Sequence, residues 1–146
     1  MRRAAAFALL AACASGGKPY PNDLPEKNVS IRSTLAGVRG ALHLHSVDTQ
    51  CRTEYLGSLE LDRPAVAVGI PADRPTYLVF DFSSSSFLRG RGRITQETLL
   101  QPRARHRYEI EATYRDDIYN VVVREAPPQG AARELPLRGL ASCRVR

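Results

Sequence analysis

The sequence predicts an all-β fold, a single antiparallel β-sandwich of about seven or eight short strands. Three observations predict it. Short runs alternate with period two, most cleanly at residues 41–47, where Leu42 and Leu44 fall on one face and His43 and His45 on the other. Turn signals separate the runs, among them Arg63-Pro64, Arg115-Asp116-Asp117 and Pro127-Pro128-Gln129-Gly130. Beyond the first dozen residues, no stretch sustains the 3.6-residue period of a helix.

The chain begins with Arg2 and Arg3, followed by an uncharged apolar run, residues 4–12. At 1.5 Å per residue such a run covers about 14 Å as a helix, half of what crosses a bilayer, so it fits a signal-peptide core and not a transmembrane span. Leu10-Ala11-Ala12-Cys13 closes the run, with Ala14, Ser15, Gly16 and Gly17 after it. Here the chain resembles bacterial lipoproteins, whose lipobox is a Leu, two small residues and a Cys. The resemblance implies that residues 1–12 are a cleaved signal peptide. It implies that Cys13 carries lipid on its sulfur, becomes the new N-terminus and is acylated again, palmitate included. Several acyl chains hold a protein on a membrane where one would be marginal. Within that family an Asp after the Cys favours retention at the inner membrane, so Ala14 implies the outer membrane, with the domain facing the periplasm. The alternative is an ordinary secretory signal in which Cys13 is incidental.

Residues 13–28 follow as a lipidated Cys and flexible tether, rich in Gly, Pro and polar side chains, with a reach of about 20 Å. The sandwich is expected over residues 29–146. Its strands are placed from Val29 on, at 41–47, 55–62, 65–70, 76–82, 87–96, 106–114 and 118–125, with a last segment from Glu134 to Val145. Two glycines in 87–96 suggest an edge strand or a bulge there. In 106–114, Tyr108, Ile110, Ala112 and Tyr114 are expected inward, Glu109, Glu111 and Thr113 outward. Ser83 to Ser86 reads as a polar loop at a strand end, and Asp116-Asp117 as a turn. Loops ending in Pro ahead of Tyr-containing strands, Pro71 before Tyr77-Leu78-Val79-Phe80 and Gln101-Pro102 before Tyr108-Glu109-Ile110, resemble small envelope lipoproteins with transthyretin-like domains. That resemblance implies the sandwich fold and nothing about chemistry.

Of the 3 Cys, Cys13 is assigned to lipid. Cys51 and Cys143 are then expected to pair, because an oxidising compartment favours disulfides; two buried free thiols are the alternative. Removing Arg2 and Arg3 with the signal lowers the formal charge from +6 to +4. Only Lys18 and Lys27 among the 21 basic residues are Lys. Arg forks suit carboxylate and phosphate better than Lys does, although a GC-rich coding bias gives the same composition.

Two arginine rows at spacing two, Arg89-Arg91-Arg93 and Arg103-Arg105-Arg107, form a candidate patch for an anionic ligand or an acidic partner. The plainer reading is a solvated face balanced by Glu109 and Glu111. His43 and His45 sit one strand repeat apart, about 6.5 to 7 Å. Such a pair chelates Cu or Zn if a third ligand such as His106, Asp48 or Asp81 arrives; otherwise they are ordinary solvent-facing residues. No Gly-x-Ser-x-Gly surrounds Ser83 to Ser86, and only 3 His are present, so no hydrolytic triad is indicated.

The expected function is therefore that of a non-catalytic, lipid-anchored interaction or assembly module of the cell envelope. Its partners would be membrane lipid through the anchor and an envelope protein, with nucleic acid argued against by the compartment, and no cofactor beyond the covalent lipid. Alternatives are a periplasmic binding, inhibitor or immunity module using the arginine rows, and a Cu or Zn binder using His43 and His45.

Overall fold

The alternating runs become nine strands: β1 (Val29–Leu35), β2 (Arg39–Val47), β3 (Thr53–Glu60), β4 (Ala65–Val68), β5 (Thr76–Ser86), β6 (Gly90–Leu100), β7 (Arg107–Arg115), β8 (Ile118–Ala126) and β9 (Arg133–Leu135). A 3-10 turn, Leu140–Ser142, follows. These elements come from a computed structural model that describes residues 17–86 and 90–143. Among the described residues no helix is long and apolar enough to cross a membrane.

The strands form two sheets, the first ordered β4-β1-β7-β8-β9 and the second β3-β2-β5-β6. The expected sandwich is present, with one more strand than expected and one departure from antiparallel pairing. β1 runs parallel to β7 over seven residues, from Val29 opposite Tyr108 to Leu35 opposite Tyr114. The two strands are far apart in sequence, so no turn signal announces this pairing.

Alternation decides which side chains meet between the sheets. Val29 and Ile31 of β1, Tyr108, Ile110 and Ala112 of β7, and Val121 and Val123 of β8 point inward from the first sheet. Leu42 and Leu44 of β2, with Leu78, Phe80 and Phe82 of β5, meet them from the second. Each large apolar side chain buried this way contributes about 1.5 to 3 kcal/mol, which is what holds two otherwise independent sheets face to face. Glu109 and Glu111 point outward, as the alternation predicts.

Local chemistry sets the connections. Asp116 (φ 52°) and Asp117 (φ 64°) form the two-residue turn between β7 and β8, and Arg115 pairs Ile118 across it. Two left-handed residues match the twist of the strands they join, and Asp tolerates that conformation. Ser83 to Ser86, expected as a loop, continue β5 instead. Their backbone pairs Arg93 to Gly90 of β6, because β5 is long enough to carry a ladder past the last inward apolar residue. Residues 90–96, the described part of the expected 87–96 run, lie in the edge strand β6 and pair β5 without a register shift. The bulge lies between β2 and β3, where the register shifts between Leu44 and His45.

Residues 17–28 fall in the stretch expected as tether, yet the described part is bonded to the sandwich. The amide of Tyr20 donates to Ser58 O and that of Ser58 to Lys18 O, both at 2.9 Å. Asn28, nearly buried, exchanges two 2.8 Å bonds with the backbone of Ile70 through its side-chain amide. A segment of linker-like composition thus covers strand edges with its own polar groups.

Candidate functional site

The outward side of the second sheet gathers most of the chain's chemically versatile side chains. Because β2 and β5 turn their leucines and phenylalanines inward, His43, His45, Tyr77 and Asp81 must face out. Register then aligns them: His45 lies opposite Tyr77, and His43 opposite Val79. The bulge adds Tyr55. Up to Leu44 and Gly57 the β2 and β3 registers run regularly, which would set Leu56 beside His45. The extra residue puts Tyr55 there instead. The Tyr55 ring centroid is 5.2 Å from that of His45 and 6.1 Å from that of His43. On the other side, Tyr77 lies 5.9 Å from His45.

Acids and a guanidinium border these rings. His43 Nε2 is 3.7 Å from Asp81. Arg93 grips the same carboxylate with its fork, Nε donating at 2.9 Å and Nη2 bonding the other oxygen, and this pairing raises the Arg93 pKa. Tyr77 donates its hydroxyl proton to Glu97. Partial burial, then that bond and the Glu97 charge, push the Tyr77 phenol up to about 12. Burial and the neighbouring His43 lower the pKa of His45. The face is therefore an aromatic and imidazole centre with charged pairs at its margin.

His43 and His45 share a face as expected. Among the described residues, however, no group of three His, Cys, Asp or Glu side chains is close enough to hold a metal. Asp48 caps its own turn, accepting from the amides of Gln50 and Arg52 and from the Arg52 side chain. Asp81 is occupied by Arg93. His106 belongs to the β6–β7 loop beside the first sheet, where its Nδ1 lies 3.0 Å from Glu125.

The arginine rows are not brought together. Arg93 sits near the start of β6 and Arg103 beyond its end; the seven steps from residue 93 to residue 100 alone span about 24 Å. Arg103 approaches Glu125 at 3.9 Å, Arg105 takes a left-handed turn conformation (φ 66°), and Arg107 opens β7 facing solvent. Cys13 and Arg89 lie outside the described residues, as does the side chain of Arg91.

Strand edges are treated unequally. Residues 18–20 bond to β3. Asn22 accepts from Gly69 N and donates to Ala67 O along β4, each at 2.9 Å. β9 is three residues long. β6 has eleven residues, and the one backbone bond to its outer side among the described residues is Leu99 N to Arg138 O, 2.6 Å. Sequence reasoning marked 87–96 as an edge through its glycines but had no means of telling that its neighbours' edges would be covered.

The chain after β9 crosses to this second sheet. Arg138 N donates to Thr98 Oγ1 at 3.3 Å, and Gly139 passes over Glu97 so closely that a Cβ would stand 2.8 Å from its Oε1. The strap ends in a disulfide from Cys143 to Cys51 in the β2–β3 turn, with Cα atoms 5.8 Å apart. The pairing expected from composition is present. No known family model and no curated protein matches the chain.

Proposed function

We propose that this chain is a non-catalytic assembly module of the bacterial cell envelope, anchored by lipid on Cys13, that docks an extended segment of a partner protein along the outer edge of β6. The observation that carries the docking is the inequality of the edges. β6 is long and, among the described residues, has backbone bonding on its outer side at Leu99, while β3 is bonded on both sides of Ser58 by residues 18–20, β4 is bordered by Asn22, and β9 is short. A row of open backbone N–H and C=O groups is complementary to another extended strand, and main-chain bonding of this kind needs no side-chain motif. Since Leu99 N–H points away from β5, the amides of Glu97, Thr95 and Arg93 point the same way by the period of two. The aromatic and imidazole face beside the edge would supply side-chain contacts.

Arg2-Arg3, the short apolar run and Leu10-Ala11-Ala12-Cys13 support the anchor, and Ala14 supports an outer-membrane address. The strand order supports a transthyretin-like sandwich, with the first strand between the fourth and a parallel seventh and the second between the third and fifth.

A photo-crosslinking residue at position 95, introduced in the chain expressed in intact cells, tests the docking against the same residue at Glu109 on the far sheet. One envelope protein captured from 95 and not from 109, and lost when Arg93 is replaced by Pro beside it, is the expected result. Equal capture from both positions, or capture of a second copy of this chain, overturns the reading. Membrane retention of a Cys13→Ser chain overturns the anchor.

A further inference from the structure

A second site lies near the end of β6, beyond the stretch of edge from Arg93 to Glu97. A cleft of about 630 Å³ opens there, walled by the ends of β6, β8 and β9, the β6–β7 loop and the strap. That is the size of a small-molecule site. Leu135 and the nearly buried Leu100 and Val123 give it an apolar floor, and Arg103, Arg133 and Arg138 are among the residues that line it.

The three guanidiniums are not equivalent. Arg133 is held by Glu125, Nε at 2.9 Å and Nη2 at 2.6 Å from the same oxygen, Oε2. The other oxygen, Oε1, accepts from the Tyr108 hydroxyl at 2.9 Å and lies 3.0 Å from His106 Nδ1. Glu125 is 3% exposed. Burial raises its pKa, but the bonds from Arg133 and Tyr108 and the charges of Arg133 and Arg103 outweigh that, so the net shift is downward. A carboxylate with both oxygens used neutralises one guanidinium and has little left for another. Arg103 accordingly stays 3.9 Å away with its side chain 63% exposed. Arg138 is bonded through its backbone, and its guanidinium has no hydrogen bond or ion pair among the described residues. Asp73 is the one other acid in the lining.

We propose that this cleft binds an anionic amphiphile, an oxyanion (carboxylate or phosphate) on an apolar body, with the Arg103 and Arg138 forks taking the head and Leu100, Val123 and Leu135 the body. Guanidinium forks match the planar and tetrahedral oxyanions, and the adjacent apolar floor selects against a bare inorganic anion. The buried Glu125 network serves to fix the cleft's walls, since it ties β7, β8, β9 and the β6–β7 loop to one carboxylate.

The test uses the full chain with Cys13→Ser, so that no acyl group of its own competes, and follows methyl resonances while adding decanoate, decyl phosphate or inorganic phosphate. Expected are saturable shifts at Leu100, Val123 and Leu135 with either amphiphile, and affinity at least tenfold weaker in Arg138→Gln and in Arg103→Gln. Both are exposed substitutions that leave the amide spectrum otherwise unchanged. Decanoate alone binding would assign the head as carboxylate, and decyl phosphate alone as phosphate; both agree with the proposal. Inorganic phosphate binding as tightly as decyl phosphate, amphiphile binding unaffected by both variants, or binding to anionic phosphatidylglycerol vesicles with neither amphiphile bound, overturns it.

Discussion

Gly57 and Tyr20 meet backbone to backbone: a Cβ on Gly57 would stand 2.5 Å from Tyr20 Cα and 2.6 Å from Tyr20 N. Gly57 also has φ +148°, a conformation L side chains rarely adopt. The glycine at the bulge therefore lets the amino-terminal segment lie against β3. Gly57→Ala is expected to cost about 1 to 3 kcal/mol. The loss should be local first. In hydrogen exchange, the amides of Tyr20 and Ser58 should lose protection before those of β5 or β7.

Glu125 makes stability depend on acid. Its folded pKa lies below the ordinary carboxylate value, so the unfolded chain binds a proton more readily than the native one. Its contribution is fully present above the unfolded value, about 4.3, and is lost as pH falls through the lower folded one. Wild-type Tm should therefore fall steeply below that point. Glu125→Gln removes the charge from a buried group whose partner Arg133 is exposed, which costs about 1 to 3 kcal/mol near neutral pH, and its Tm should fall less steeply in acid. Parallel acid slopes for the two proteins would contradict this account.

His45 titrates below an ordinary histidine because of its partial burial and of His43 beside it. The lowered pKa means that the unfolded chain takes up the proton first, so this contribution is lost as pH falls through about 6.5, the unfolded value. Proton NMR of the imidazole should show a midpoint under 6.5. His43→Gln should move it upward while leaving burial, the larger cause, in place.

The strap between β9 and Cys143 rests on few contacts besides its disulfide. Reduction, or Cys51→Ser with Cys143→Ser, should lower stability by about 2 to 4 kcal/mol, the usual contribution of a native disulfide. The Leu99 amide, bonded to Arg138 O, should begin to exchange rapidly, while Thr98 and Leu100, paired within the sandwich, stay protected. Exchange measured with and without a dithiol reductant checks this directly.

How much of this was legible depends on whether the signal was local. Residues 41–47 and 106–114 alternate because each side chain answers only to its own strand's pleat, and their inward and outward assignments hold. Asp116-Asp117 reads as a turn because Asp itself favours the geometry. Gly57 was not read as a bulge, since residues 55–62 look evenly strand-like and the extra residue is visible only against β2. The glycines of β6 leave an edge or a bulge open, and β6 is the edge. The arginine rows look adjacent in sequence, but Arg93 near the start of β6 is held a strand's length from Arg103 beyond its end. Glu125 drew no notice at the end of a hydrophobic strand, because Tyr108, His106 and Arg133 reach it from three other segments. Residues 17–28 have a linker's composition, and edge-covering uses the same polar and Pro-rich residues as a linker.

The parallel pairing of β1 with β7 has a mechanical meaning. Tension entering from the amino-terminal side first meets residues 18–28, whose bonds to the β3 and β4 edges lie one behind another and open in turn. The next element is β1, held by β7 on one side and β4 on the other. A pull along β1 loads its ladder to β7 in shear, so those bonds bear force together and do not unzip singly. The segment ahead of β1 is thus a compliant length that yields before the load reaches the core.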